Sequence, residues 1–178
     1  FEEIKNLEAT SKLKIWILDT WIDTTHSDLQ TNINKTLWYN FITEDNNIQD
    51  NQGHWTHIAW IIWANLNNQW IVCINPYVEL VPLKICDKNG FCPNYAVIKS
   101  LEYAKENEIN ILNISLSWNS SLLDNPICDR IKTVTENWTI VVTSAWNSNT
   151  DTSNTIPWWC SESITVWAVD QAWNKAIF

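Results

Sequence analysis

Residues 14–20 (KIWILDT) form an apolar, β-branched run closed by an aspartate, the pattern of a buried strand. Residues 54–65 (HWTHIAWIIWAN) predict a helix that opens on a histidine. Residues 78–86 (VELVPLKIC) predict a second strand, which Pro82 assigns to an edge if the strand holds. An amphipathic helix follows over 94–108, with Val97, Leu101 and Ala104 on one face and Asn94 as its cap. A third strand is expected over 109–115, a helix over 126–137, and strands over 139–144 (TIVVTS) and 163–169 (SITVWAV). Near-continuous apolar strands alternating with helices predict an α/β fold. The sheet should be doubly wound and mostly parallel, with helices on both faces. In such sheets ligands collect beyond the carboxyl ends of the strands. Asp19, the stretch from Ser115 to Ser117, and Asn147 all fall at or just past predicted strand ends, and His54 opens a helix. The Asn-rich stretches 44–52, 65–69 and 147–154 have the composition of surface connections.

The 178 residues suit one domain with a substantial core, taken here as 14–178 after a lead-in at 1–13. A 46% hydrophobic and 17% charged composition is that of a globular protein. The net charge of −9 argues against a nucleic-acid partner, because phosphate binding needs clustered Lys and Arg. No apolar run approaches the roughly 18 residues of a membrane span. Residues 1–14 lack the basic start and apolar stretch of a signal peptide, which leads to the expectation that the chain begins inside a longer precursor. Five cysteines, at 73, 86, 92, 128 and 160, leave at least one free or paired with something outside the chain. Cys86 and Cys92 flank a short loop that a disulfide would close in an oxidising compartment; buried thiols acting as small apolar residues are the other reading.

The chain holds 14 Trp and 2 Gly, where ordinary usage would give roughly a dozen Gly. Trp16, Trp21, Trp60, Trp63, Trp118, Trp146, Trp158 and Trp159 lie in or beside strands, turns and close helix contacts, where glycine is at home. Trp138 stands where a helix meets a strand, the place of a C-terminal cap glycine. The expectation is a gene in which UGA encodes glycine but has been read as tryptophan; a deliberate Gly-to-Trp redesign is the alternative. Fourteen UGG codons would rule the first idea out.

Acyl transfer by a hydroxyl nucleophile needs that nucleophile, a base, a carboxylate orienting the base, and donors for the oxyanion. An aspartate at a strand end is commonly a turn residue, a lone helix-start histidine is commonly structural, and a lone loop asparagine is commonly neither. Their joint order carries the argument. With Trp21 read as glycine, ILDTWID around Asp19 resembles the Asp motif of the subtilisin family. With Trp55 and Trp60 so read, GHWTHIAW around His54 resembles the family's His motif, and VVTSAWN resembles the segment carrying its oxyanion Asn, here Asn147. The resemblance runs from residue 14 onward, in the order of the subtilisin-like serine proteases (peptidase S8).

The resemblance implies a serine endopeptidase with Asp19, His54 and Asn147 as catalytic residues, and no cofactor required for the chemistry. It implies a peptide or protein substrate held by strand addition between Asn113, Ser115, Leu116 and Ser117 on one side and Asn89 and Gly90 on the other. It also implies secretion, a monomer, and a structural Ca²⁺ for which Asp28, Asn67 and Gln69 offer oxygen ligands. His57 and Asp23 are taken as structural. The family's nucleophile segment, Gly-Thr-Ser-Met-Ala, is absent, and none of Ser144, Ser148, Ser153, Ser161 or Ser163 has its context. The expectation is therefore a partial peptidase domain lacking its Ser-containing C-terminal part and inactive alone. A non-catalytic peptide-binding domain is the alternative. A nucleotide-binding domain would need a Gly-rich loop after the first strand, and DTWIDTTH supplies none.

Overall fold

The computed structural model describes residues 12–20, 22–48, 54–64, 73–119, 126–145 and 155–176. Its strands are β1 (Leu13–Asp19), β2 (Tyr39–Asn40), β3 (Val78–Lys84), β4 (Ile111–Ile114), β5 (Trp118–Asn119), β6 (Ile140–Ser144), β7 (Thr155–Ile156) and β8 (Ile164–Val166). Its helices are α1 (His54–Ile62), α2 (Asn94–Glu106) and α3 (Pro126–Thr135). Six strands make one sheet in the order β2-β3-β1-β4-β6-β8, every pairing parallel. The antiparallel pair β5-β7 stands apart from it. The α/β fold with a parallel sheet is the one the alternating pattern predicted.

Side chains alternate between the two sheet faces. Trp16, Leu18, Val81, Leu83, Leu112, Ile114 and Val141 meet α2 and α3 in one core, with Ala96, Val97, Leu101 and Ala104 from α2 and Ile127, Ile131 and Val134 from α3. Ile15, Ile17, Val78 and Leu80 meet α1 on the other face through Ala59 and Trp63. Helix α1 covers only the β1–β3 side of that second face. Toward β6 and β8 it is open: Ile140, Ile164 and Val166 are about half exposed. Beside them an apolar hollow of 290 Å³ is walled by Leu13, Ile62, Ile74, Ile111 and Val142.

Three local expectations are corrected. Asn94 does not cap α2: it is the first helical residue, Pro93 holds the cap position, and no side chain caps the end. Pro82 does not put β3 at the sheet edge. Leu80 N–H donates outward to the Asn32 carbonyl and the Lys84 carbonyl accepts from Phe41, so the missing N–H of Pro82 falls in the gap between two outer partners. The 163–169 strand is only three residues long, and Val169 turns instead into a bridge with Lys175.

Cys86–Cys92 and Cys128–Cys160 are disulfides, and Cys73 is free and buried. The tryptophans divide. Trp138 has φ 69° and Trp173 φ 64°, both in the left-handed region. At the end of α3, Trp138 N–H donates to the Thr135 carbonyl and Thr139 N–H to that of Val134, the paired bonds of a Schellman C-cap whose left-handed residue is Trp138. Trp173 follows the Asp170 turn in a hairpin closed by Asp170 N–H to Asn174 O, again a position that favours glycine. Trp16, Trp60 and Trp158 bury indole N–H groups that find no acceptor among the described residues. At Trp63 the geometry asks for no glycine, since its buried indole donates to the Pro76 carbonyl at 2.7 Å. Trp21 and Trp146 lie outside the described residues.

Candidate active site

From β1 the sheet grows one way through β3 to β2, and the other way through β4 to β6 and β8. The connections leaving β1 and β4 thus diverge, and between their carboxyl ends lies the crevice that open parallel sheets offer a ligand. A cleft of 810 Å³ occupies that place, lined by Asp19 and Thr20 from the end of β1, His54 from α1, and Asn113, Ser115 and Leu116 from the end of β4. Gly90 closes it on one side, and Ser144, Ala145 and Val166 to Ala168 on another.

Asp19 is fully buried, and Thr20 N–H donates to its Oδ1 at 2.6 Å. His54 starts α1, so its ring stands at the helix mouth and remains half exposed. The His54 Nδ1 lies 3.0 Å from both Asp19 oxygens and is aligned for a hydrogen bond to Oδ1. The Asp19 Oδ2 is buried with no aligned donor among the described residues. A carboxylate so placed fixes the imidazole with Nδ1 protonated, leaving Nε2 as the atom able to take a proton.

Asp23 donates its backbone N–H to Thr56 Oγ1 at 3.0 Å, tying the chain after β1 to α1. Its carboxyl is held below the ordinary aspartate value, chiefly by the Thr25 hydroxyl. Lys84, beside Asp19 in the ladder, is buried, and burial lowers its ammonium pKa against the pull of the Asp45 and Asp87 carboxylates.

Of the residues singled out from sequence, the structure brings together Asp19, His54, Asn113, Ser115, Leu116 and Gly90. Asn113 Nδ2 donates to Ser115 Oγ at 2.8 Å, shaping the bend after β4. Asn89 and Ser117 stand next to lining residues, and Ser117 Oγ is buried without a partner among the described residues. Asp28 is buried. Asn147, Asn67 and Gln69 fall outside the described residues. Among the described residues no group of three His, Cys, Asp or Glu could hold a metal ion. No helix among them is long and apolar enough to cross a membrane. Sequence reading missed the wall made by Ser144, Ala145 and Trp167, although their positions after β6 and β8 satisfy the strand-end rule that found Asp19.

The sequence profile described as the subtilase family (peptidase S8) matches residues 10–178. The chain belongs to the subtilase family. It is 28% identical over 171 residues to subtilisin DY of Bacillus licheniformis, covering 94% of this chain and 60% of that protein. It is 31% identical over 120 residues to the cell wall-associated protease of Bacillus subtilis (strain 168), covering 65% of this chain and 13% of that protein. A cold-adapted subtilisin-like serine proteinase has the same fold, with a TM-score of 0.82 at 20% identity, over 97% of this chain and 62% of that one. This subtilase chain therefore spans less than two thirds of the length of those relatives.

Proposed function

We propose that the chain is the part of a subtilisin-type serine endopeptidase that supplies the base and its orienting carboxylate, with the nucleophilic serine contributed by polypeptide outside residues 1–178. The observation that carries this reading is the 3.0 Å contact of His54 Nδ1 with the buried Asp19 at the mouth of a cleft. His54 Nε2 takes the hydroxyl proton as the nucleophile attacks the peptide carbonyl, then returns it to the leaving amine. Asp19 holds the ring and stabilises the imidazolium. Asn147 donates to the oxyanion, and Asn113 to Ser117 with Asn89 and Gly90 flank an extended peptide. Apolar Leu116, Val142 and Val166 line the cleft, and among the described lining residues only the Asp-His pair can carry charge, which suits a peptide backbone with uncharged side chains. On this reading 178 residues alone do not hydrolyse peptides.

Two disulfides support work in an oxidising compartment, hence secretion. A structural Ca²⁺ would take the buried Asp28, whose hard oxygen suits that ion; one carboxylate is far short of the 6–8 oxygens Ca²⁺ requires, so Asn67 and Gln69 would share the task.

The test joins residues 1–178 to the polypeptide encoded downstream and assays peptide hydrolysis. Activity should appear, be blocked by a serine-directed phosphonate, and fall by about 10⁴ in Asp19→Asn. Peptide binding without hydrolysis by the joined chain would favour the non-catalytic binding domain instead.

A further inference from the structure

The two walls facing each other across the cleft are anchored differently. Asn113 to Leu116 continue from β4, whose Leu112 and Ile114 are fully buried, so the core itself fixes that wall. The opposite wall is the loop between Cys86 and Cys92. None of its five residues is buried, Phe91 is 68% exposed, and Gly90, which lines the cleft, has φ +79°. Its internal bonds converge on one residue. Asp87 Oδ1 accepts from Asn89 N–H at 2.8 Å and Phe91 N–H at 3.0 Å, Asp87 N–H donates to Phe91 O at 2.9 Å, and Gly90 N–H donates to Asp87 O at 3.1 Å. All four bonds lie within the loop itself, so they shape it without tying it to the core, and the two that end on the Asp87 carboxylate compete with water. The remaining tie is the disulfide, which joins the fully buried Cys86 after β3 to Cys92 before α2.

We propose that Cys86–Cys92 is a positioning element for peptide recognition: it holds the Gly90 wall against the Asn113–Leu116 wall, so peptide affinity depends on the oxidation state of this bond. The inference rests on the peptide-slot reading above. A ring of so few residues removes less unfolded-state entropy than a longer one, so the bond adds less to global stability than Cys128–Cys160, which spans 32 residues. Its effect is local. A dithiol reductant supplies two electrons and two protons through a mixed disulfide, leaving two protein thiols and its own cyclic disulfide. The wall then keeps only the Asp87 bonds, and a peptide must order it on binding.

The experiment measures binding of a fluorescein-labelled, end-blocked Ala/Leu hexapeptide to the oxidised chain by anisotropy, with C86S/C92S and C128S/C160S as variants. C86S/C92S should weaken binding about tenfold, the cost of ordering a freed loop. C128S/C160S should leave affinity within about twofold while lowering the unfolding midpoint more. Because Cys86 is buried, mild dithiol reduction of the wild-type chain is read in parallel by hydrogen exchange. The Asn89, Gly90 and Phe91 amides should lose protection while those of β3 and α2 keep it. Unchanged affinity together with unchanged exchange would overturn the proposal alone. Failure of the oxidised chain to bind the hexapeptide would overturn it along with the peptide-slot reading.

Discussion

Replacing Trp138 by glycine should make the protein more stable, although tryptophan is the larger and more apolar residue. The position has φ 69° at the left-handed residue of the α3 cap. An L-residue with a Cβ costs about 1–2 kcal/mol there, a cost glycine does not carry. The indole is 92% exposed, so little burial is lost with it. Against this gain stands the greater freedom of glycine in the unfolded chain, about 0.4–1 kcal/mol. The balance is a stabilisation of up to about 1.6 kcal/mol, centred on about 0.8 kcal/mol. For a chain of this size that is a rise of about 2–4 °C in Tm. Urea unfolding followed by far-UV circular dichroism gives the number, with an unchanged slope showing that stability has changed and the surface exposed on unfolding has not. Trp138→Ala serves as the contrast: it removes the indole but keeps the Cβ, and should gain little. If Trp138→Gly proves no more stable than Trp138→Ala, the argument from left-handed strain is wrong, and with it one support for glycine at this site.

Thr25→Ala should reduce stability by under about 1 kcal/mol at neutral pH, because Thr25 is exposed and the Asp23 carboxylate it supports is only partly buried. Since the folded-state pKa of Asp23 lies below its ordinary value of 3.8, its contribution is complete above about pH 4 and lost as pH falls through the folded value. The gap between Thr25→Ala and wild type in urea midpoint should therefore narrow as pH falls below the ordinary value of 3.8. Removing Cys128–Cys160, with a separation of 32 residues, should cost about 3.7 kcal/mol, and removing Cys86–Cys92, with a separation of 6, about 2.2 kcal/mol. Equal losses in denaturant titrations would contradict the loop-length argument. Leu112→Ala, at a fully buried position in the middle of the sheet, should cost about 2–5 kcal/mol in the same assay.

The long elements were legible because each carries a period that burial enforces. KIWILD is apolar on both faces because β1 lies between β3 and β4 with core above and below, and α2 repeats its buried stripe at Val97, Leu101 and Ala104. The two-residue strands β2, β5 and β7 left no such signature, since pairs that short are set by what packs beside them. Asn94 illustrates the limit of cap reading. The residue type suits a cap, but Pro93 before it already takes the extended angles of the cap position and starts the helix one position earlier than the side chain suggests. The Cys86 loop could be proposed from spacing alone. The pairing of Cys128 with Cys160 could not, because two cysteines on different elements meet only once α3 and the chain around Pro157 have docked. At the site, Asp19 and His54 were readable as strand end and helix start, and Ser144 and Ala145 obey the same rule inside the VVTSAWN segment, which drew notice only for its Asn147.

The open flank of the sheet, from β4 where the core under α1 ends out to β6 and β8, also has a definite size. Adjacent strands lie about 4.8 Å apart, so the three span about 10 Å from first to last. That is close to the 10–12 Å breadth of a single α-helix with its side chains. One rod laid along the strands would shield Ile140, Ile164 and Val166 together, whereas a loop could not satisfy its own amides against so greasy a floor. Left as the described residues leave it, the flank puts three half-exposed aliphatic side chains side by side in water, the kind of apolar surface that favours self-association at high protein concentration.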